Sequence, residues 1–543
     1  MKTIARISLV SILLAGVSAA IFVGCMAKQG NIHLHKSAPE MAVGRTPLMN
    51  FDQTTASLQP TDSEAPVVHN TETYDRIVDN AFKLAADHPL STFSTDVDTA
   101  SYSNVRRFLN HKQLPPPGSV RIEEMINYFT YAYDQPATNS PHPFAVHAQA
   151  ASCPWEPKHR LVRIALKGRE IDPTKRPPSN LVFLLDVSGS MRAGNKLPLV
   201  KKAMKMLLKQ LGEGDRVAIV VYASASGMVL DSTSCDRKET IIAALDKLQA
   251  GGSTNGGQGI QLAYNLAVEN FIEGGTNRVI LATDGDFNVG TTNNSELIGL
   301  IEKKASSGVF LSVLGFGMGN YKDDRMEKLA DKGNGNYAYI DSESEARKVL
   351  VREMCGTLVT IAKDVKIQVE FNPAQVAAYR LIGYENRILN KEDFNDDKKD
   401  AGDIGAGHTV TALYQVVPAG VKIDVPSVDK LKYSAPATST AGAGGGEMMT
   451  VKLRYKKPDG DKSTRMDLVV RDDGRSIDKC SKDFRFASSV ASFGMLLRGS
   501  KHKGSYTLDA VLELAQASLG DDKEGYRKEF LKLVKITRDI KED

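Results

Sequence analysis

Residues 181–191 read Leu-Val-Phe-Leu-Leu-Asp-Val-Ser-Gly-Ser-Met and join a continuous apolar run to a short polar turn. The apolar run over 181–185 is typical of a strand that is covered on both faces, as strands of parallel sheets are. Asp186, Ser188 and Ser190 follow the run at once. In open parallel sheets, ligands bind beyond the carboxyl ends of the strands. This stretch therefore predicts both the fold and the place of a site.

The pattern around this stretch extends the prediction to residues 178–356, where candidate strands and helices alternate. After the turn, residues 197–211 carry Leu197, Val200, Met204 and Leu207 at helical spacing, which is typical of an amphipathic helix. Alternation of this kind predicts an α/β domain built on a doubly wound, mostly parallel sheet with helices on both faces.

Two further polar turns lie in the same region. Asp284, in Leu-Ala-Thr-Asp-Gly-Asp over 281–286, follows another predicted strand, and Thr254, in Gly-Gly-Ser-Thr-Asn-Gly over 251–256, precedes a predicted helix. If the sheet is as predicted, all three turns gather at one edge. Together with Asp186, Ser188 and Ser190 they supply two carboxylates and three hydroxyls. Such an all-oxygen set suits a hard divalent cation, Mg²⁺ first and Mn²⁺ or Ca²⁺ as alternatives, and does not favour zinc.

The chain resembles the von Willebrand factor type A (VWA) domain over residues 178–356. Asp186-x-Ser188-x-Ser190, Thr254 and Asp284 match its metal-ion-dependent adhesion site, or MIDAS. The resemblance implies that Ser188 and Ser190 bind the cation directly and that Thr254 does so directly or through water. It also implies that Asp186 and Asp284 often act through bound waters, and that a carboxylate of a protein partner becomes the last ligand.

The flanking sequence is similar to a family of bacterial secreted VWA lipoproteins. Residues 94–102 read Ser-Thr-Asp-Val-Asp-Thr-Ala-Ser-Tyr before the domain, and residues 379–386 read Tyr-Arg-Leu-Ile-Gly-Tyr-Glu-Asn after it.

The start of the chain predicts export and lipidation. Lys2 and Arg6 precede an apolar run over 7–23, which is typical of a secretory signal. The run ends in Phe-Val-Gly-Cys25, which resembles a bacterial lipobox, so we predict a signal peptide over 1–24 and an acylated Cys25 at the new amino terminus. The alternative is an ordinary signal peptide with a chance cysteine. Met26, which is not an aspartate, favours the outer over the inner membrane if the host has two membranes.

The remaining segments complete the predicted organisation. Residues 25–74 are polar and rich in proline, and predict a flexible tether. Residues 75–177 predict a mainly helical stretch to about 140, with Asp98 as a helix cap, followed by strands. Residues 357–475 predict further strands that share a β-sandwich with those strands, so that the α/β domain is an insertion. Residues 476–543 predict a helical end.

Composition limits the partners. The formal net charge is +4 in 543 residues and acids and bases are interspersed, so nucleic acid is not expected as a partner. Four cysteines remain besides Cys25, and they form either two disulfides in one of three pairings or buried free thiols. They are Cys153, Cys235, Cys355 and Cys480. The sequence leaves the oligomeric state open.

The sequence is compatible with three functions. The first is a membrane-anchored binding module that captures an acidic group of a protein partner through the cation. The second is a structural or assembly role in the envelope, with the metal as a fold staple. The third is a metal-dependent hydrolase, which is disfavoured because no histidine lies close in sequence to the three turns and no Gly-x-Ser-x-Gly elbow is present. We expect the first, and a protein that is not an enzyme.

Overall fold

The structure is a computed structural model that describes residues 72–254, 256–285, 287, 294–399, 401–423 and 446–542. The predicted signal peptide, Cys25 and all but the last three residues of the predicted tether lie outside these ranges. Among the helices within them, none is both long enough and apolar enough to cross a bilayer.

The described residues form strands and helices along their whole length. In chain order the strands are β1 (Lys83–Leu84), β2 (Leu90–Ser94), β3 (Phe144–Ser152), β4 (Arg160–Gly168), β5 (Ser179–Asp186), β6 (Arg216–Tyr222), β7 (Ser226–Ser234), β8 (Thr276–Thr283), β9 (Val309–Phe316), β10 (Tyr337–Ile340), β11 (Thr360–Phe371), β12 (Val376–Ile382), β13 (Ile388–Leu389), β14 (Gly402–Gly405), β15 (Thr409–Pro418), β16 (Glu447–Lys456) and β17 (Ser463–Arg471). The helices are α1 (Ala100–Asn110), α2 (Ile122–Asn127), α3 (Leu197–Leu208), α4 (Lys238–Lys247), α5 (Gly256–Glu269), α6 (Asn294–Ser306), α7 (Asp323–Lys332), α8 (Glu343–Arg347), α9 (Met354–Leu358), α10 (Lys482–Arg498), α11 (Leu508–Gln516) and α12 (Tyr526–Glu542).

The α/β domain is built on a sheet of order β10-β9-β8-β5-β6-β7. All neighbours in it are parallel except the edge strand β7, which runs antiparallel to β6. The side chains of β5 alternate between two cores, one shared with α3 and α4 and the other with α5 to α7. The predicted doubly wound, mostly parallel sheet with helices on both faces is confirmed.

The β-sandwich consists of two antiparallel sheets, of order β1-β12-β15-β4-β3 and β13-β2-β11-β16-β17, with β14 paired to β11. One buried apolar core draws on strands of both sheets. Because β1 to β4 precede the α/β domain in the chain and β11 to β17 follow it, the sandwich is assembled from both sides of the insertion.

A helical cluster of α1, α2, α10, α11 and α12 forms the remaining core. Its centre is aromatic, with the Phe129 ring edge-on to Phe486 and Phe530 at centroid distances of 4.9 and 5.8 Å. The helices α1 and α2 therefore pack against the carboxyl-terminal helices α10 to α12 beside the sandwich.

Two predictions for the segment before residue 140 are wrong. Residues Leu90–Ser94 form β2, because β11 and β13 supply backbone partners on both of its sides. Asp98 does not cap α1, whose cap residue Thr99 makes no side-chain cap bond. The Asp98 carboxylate instead accepts a hydrogen bond from the Tyr337 backbone N–H at 2.8 Å and pairs with Arg387 at 3.3 Å.

The α/β domain is fixed to its surroundings by buried arginines. Three of them are each less than a tenth exposed, namely Arg106 on α1, Arg121 at the start of α2 and Arg387 beside β13. Each forms ion pairs with carboxylates of the α/β domain, and most of these carboxylates lie on α7 and α8. These partners are Asp341 and Glu345 for Arg106, Asp323 and Glu327 for Arg121, and Glu327 and Asp331 for Arg387.

The last residues of the predicted tether are held on the α/β domain. Glu72 Oε1 pairs with Arg107 at 2.7 Å and accepts a hydrogen bond from the Gly319 N–H at 2.8 Å. The Thr73 N–H donates to the Tyr321 carbonyl at 3.1 Å. The chain is thus anchored to this domain from residue 72.

Three of the cysteines with open pairing are buried free thiols, namely Cys153, Cys235 and Cys480. Burial raises the pKa of the Cys153 and Cys235 thiols to about 12. The side chain of Cys355 lies outside the described part.

Candidate metal centre

The carboxyl edge of the parallel sheet brings the two predicted aspartates together. β5 ends at Asp186 and β8 ends one residue before Asp284, and these strands pair in parallel with Leu185 opposite Ala282. Both aspartates are fully buried at 0% exposure. Two buried carboxylates therefore follow neighbouring strands.

The Asp186 carboxylate is fixed by the turn that follows it. Its Oδ1 accepts a hydrogen bond from the Ser188 N–H at 2.9 Å, and its Oδ2 accepts one from the Thr283 hydroxyl at 3.2 Å. Burial raises the pKa of Asp186 to about 6, the bonds from Ser188 oppose the rise, and the charge of Asp284 adds to it. Burial and the neighbouring Asp284 thus disfavour the charged form of Asp186, which a cation beside it would favour.

The serine hydroxyls lie between this buried pair and solvent. Ser188 Oγ and Ser190 Oγ are 3.0 Å apart, and Ser188 is buried whereas Ser190 is exposed. Gly189–Arg192 forms a single 3₁₀ turn, which places both hydroxyls on the same short segment. The pair offers neutral oxygen ligands at the mouth of the site.

Backbone hydrogen bonds connect the segment before Thr254 to the turn that carries Ser188 and Ser190. The Gly189 N–H donates to the Gly252 carbonyl at 2.9 Å, and the Gly251 N–H donates to the Val187 carbonyl at 2.8 Å. Gly252 has a φ of +81°, and a Cβ there would press on Ser224 Oγ, so glycine suits this turn. Thr254 is half-buried two residues further on, next to the start of α5.

A lysine that sequence reasoning missed also reaches the site. Lys196 precedes α3, is 7% exposed, and donates from Nζ to Asp284 Oδ2 at 2.8 Å and to Asn320 Oδ1 at 3.3 Å. Its aliphatic stem crosses Gly317, whose φ is +76° and where a Cβ would collide with that stem. The sequence gives no signal for this contact, because Lys196 and Asp284 are 88 residues apart.

Comparisons with known proteins identify the domain that carries these turns. The family model described as von Willebrand factor type A domain matches residues 180–353, one described as von Willebrand factor matches 68–163, and one described as YfbK, C-terminal matches 356–540. YfbK of Escherichia coli is 45% identical over 471 residues, which cover 86% of this chain and 81% of YfbK. The chain belongs to the YfbK family.

Other similarities of this YfbK-family chain are shorter or more distant. Inter-alpha-trypsin inhibitor heavy chain H4 of Homo sapiens is 30% identical over 196 residues, which cover 34% of this chain and 21% of the human protein. The solved structure of a von Willebrand factor type A protein from Catenulispora acidiphila is 16% identical, with a TM-score of 0.39, and the match covers 73% of this chain and 91% of that one.

The residues at this edge of the YfbK-family domain fit a divalent cation. Hard cations prefer carboxylate and hydroxyl oxygens, and those are the groups that the three turns present. Two fully buried carboxylates on neighbouring strands are costly without nearby positive charge, and the raised pKa of Asp186 expresses that cost. Lys196 supplies one positive charge at Asp284, so a cation in the site has an ammonium group as its neighbour.

We predict that replacing Lys196 with methionine tightens Mg²⁺ binding by about tenfold, because removing one positive charge lowers the Coulomb repulsion of a nearby dication by more than about 1.4 kcal/mol. Isothermal titration of the wild type and Lys196→Met with MgCl₂ measures the change. Lys202→Met is the matched control, since Lys202 lies on α3 and is 59% exposed. Weaker binding by Lys196→Met would show instead that the ammonium group positions Asp284 for the ion.

Proposed function

We propose that this chain is a lipid-anchored protein of the cell envelope whose VWA domain captures an acidic group of a protein partner through a divalent cation. VWA domains commonly mediate metal-dependent protein–protein interactions, and the α/β domain here is one of them. The observation that carries the proposal is the meeting of Asp186 and Asp284, both buried, with the Ser188 and Ser190 hydroxyls at the solvent edge of the sheet.

In this proposal, the hydroxyls of Ser188, Ser190 and Thr254 hold Mg²⁺, while Asp186 and Asp284 act through water. Mn²⁺ and Ca²⁺ accept the same oxygen ligands. Neutral hydroxyl ligands leave most of the ion's charge uncompensated, so a carboxylate that approaches from outside gains a strong electrostatic attraction when the ion is bound. The exposure of Ser190 and the partial exposure of Thr254 support access for such a group.

The side chains of this site have no catalytic task in the proposal. Asp186 is held by the Ser188 N–H and the Thr283 hydroxyl, and Asp284 is paired with Lys196. In the proposal, both carboxylates act on the bound ion and its waters and not on a substrate. We therefore propose binding and not turnover.

For the anchor, we propose acylation of Cys25. Metabolic labelling with an alkyne fatty acid in a bacterial host should mark the wild type and not Cys25→Ser. Equal labelling of the two proteins would remove the anchor from the proposal.

Partner capture is tested with the immobilised mature chain and an envelope extract. We expect a protein that is retained in Mg²⁺, released by EDTA, and absent when Asp186→Asn replaces the wild type, because the substitution keeps the shape of the side chain and removes its charge. Pretreating the extract with a carbodiimide and an amine, which neutralises carboxylates, should also prevent retention.

The same experiment separates the alternatives. Retention that is equal with and without EDTA would contradict the proposal. If EDTA lowers the thermal midpoint of the chain strongly while the partner is retained equally by Asp284→Ala, the metal is a fold staple and the chain has a structural role in the envelope.

A further inference from the structure

A second polar cleft lies at the opposite end of the α/β sheet from the metal centre. Its volume is about 350 Å³, which is within the range of small-ligand sites. One wall comes from the α/β domain, with Arg278, Asn336 and Thr357, and the other from the β-sandwich, with Gly402 and Asp403. Arg278 is the third residue of β8, about 17 Å before the end of that strand at about 3.3 Å per residue. The cleft is therefore separate from the cation site.

Arg278 is the unusual group in this cleft. It is 3% exposed, its Nη1 donates to Ser312 Oγ at 2.6 Å, and its Nε has no hydrogen-bond partner among the described residues. The Phe310 ring lies 5.6 Å from the guanidinium carbon. Burial lowers the pKa of Arg278 to about 10, and the charge of Asp403 across the cleft offsets only part of that effect.

Three buried arginines that join the α/β domain to its surroundings differ from Arg278 in their partners. Arg106, Arg121 and Arg387 each form ion pairs with two or more carboxylates. No carboxylate among the described residues lies at salt-bridge distance from Arg278. Burying a guanidinium without a paired anion costs several kcal/mol, so an anion bound in this cleft would stabilise Arg278 in a way that the described residues do not.

The rest of the cleft suits a small polar anion. Asn334, Asn336 and Thr357 add side chains that donate hydrogen bonds, and Lys399 adds an exposed positive charge at the rim. Asp96 and Asp331, which also line the cleft, already pair with Arg387 at 3.1 and 2.7 Å. Arg278 and Lys399 therefore offer positive charge to a ligand, and Asp403 is the remaining carboxylate of the lining beside them.

We propose that this cleft binds a small organic anion whose carboxylate or phosphate group pairs with the Arg278 guanidinium. A guanidinium offers parallel N–H donors to both kinds of oxyanion. The ligand would lie where the α/β domain meets the β-sandwich, so its binding would stabilise that junction. This inference does not depend on the metal centre or on the partner proposed for it.

The test uses the full mature chain with inorganic phosphate and succinate as separate probes, followed by calorimetric titration and by thermal unfolding. At least one probe should bind and raise the thermal midpoint, because a ligand that binds the folded state stabilises it by mass action. Arg278→Gln should weaken that binding by about tenfold or more, since hydrogen bonds to charged groups contribute about 1.5–3 kcal/mol. The probe that binds identifies the oxyanion.

Two further variants keep the test decisive. Arg163→Gln is the matched control, because Arg163 is 8% exposed and its guanidinium lies over the Tyr133 and Phe484 rings, away from the cleft, so this variant should keep wild-type affinity. Lys399→Glu changes only an exposed rim charge and should weaken binding severalfold even if Arg278→Gln does not fold. Failure of both probes to bind the wild type, equal binding by Arg278→Gln, or unchanged affinity in Lys399→Glu would each overturn the proposal.

Discussion

Replacing Asp186 with alanine is expected to weaken Mg²⁺ binding by at least about a hundredfold. The carboxylate is fully buried at the edge of the sheet and is held by the Ser188 N–H and the Thr283 hydroxyl, so no neighbouring group can move in to replace it. A unit negative charge a few ångströms from a dication contributes more than about 2.8 kcal/mol even at an effective dielectric constant of about 20, and 2.8 kcal/mol corresponds to a hundredfold change in affinity. Calorimetric titration with MgCl₂ and MnCl₂ measures the loss.

Asp246→Ala is the control for this experiment. Asp246 lies in the same domain but is 55% exposed and pairs with Lys205 at the surface, so its removal should leave the affinity unchanged. Thermal unfolding adds a second readout, because Mg²⁺ should raise the midpoint of the wild type and of Asp246→Ala but not that of Asp186→Ala. Equal Mg²⁺ affinity in the wild type and Asp186→Ala would contradict the assignment of the site.

Arg387→Ala should lower the free energy of unfolding by about 3–5 kcal/mol. Arg387 is 9% exposed and pairs with four carboxylates, two from the segment before α1 and two from α7. Without the guanidinium, Asp98 and Glu327 lose their buried counter-charge, and the half-buried Asp96 and Asp331 stay next to them. The pKa of Asp331 is raised to about 6, chiefly by burial, although Arg387 lowers it, so the pKa of Asp331 should rise further in the variant. Denaturant titration followed by circular dichroism measures the change.

An exposed ion pair provides the comparison. Arg465 pairs with Asp467 on β17, and the two side chains are 49% and 40% exposed, so Arg465→Ala should change the free energy of unfolding by less than about 1 kcal/mol. If Arg387→Ala were as mild as Arg465→Ala, the buried network would not fix the α/β domain to the rest of the chain.

The sequence predicted those parts of the fold that depend on local patterns of apolar and polar residues. The apolar run over 181–185 predicts a doubly covered strand because each of its residues meets a core on one face or the other, and the structure places them so. Asp186 and Asp284 could be assigned to one edge because each follows such a run and because parallel strands end on the same side. Their burial and their hydrogen bonds are visible only in the structure.

The elements that the sequence did not predict depend on distant partners. β2 reads Leu-Ser-Thr-Phe-Ser and has no strong strand pattern, yet β11 and β13 hydrogen-bond to both of its sides. Asp98 has the local features of a helix cap, but the Tyr337 N–H and Arg387 bind its carboxylate. Lys196 reaches Asp284 through a long side chain from another turn. Such contacts form only in the folded chain, and the spacing of residues in the sequence does not predict them.

Anomalous diffraction from crystals of the mature chain soaked in MnCl₂ tests the central claim most directly. We predict one strong manganese peak at the sheet edge, within coordination distance of the Ser188 and Ser190 hydroxyls and beside Thr254, with at least one coordination position filled by water or by a carboxylate of another molecule. Two results would contradict the claim that the ion keeps a coordination position open for a partner. One is a crystal with no peak at this place, and the other is a peak whose ligands are all side chains of the chain itself.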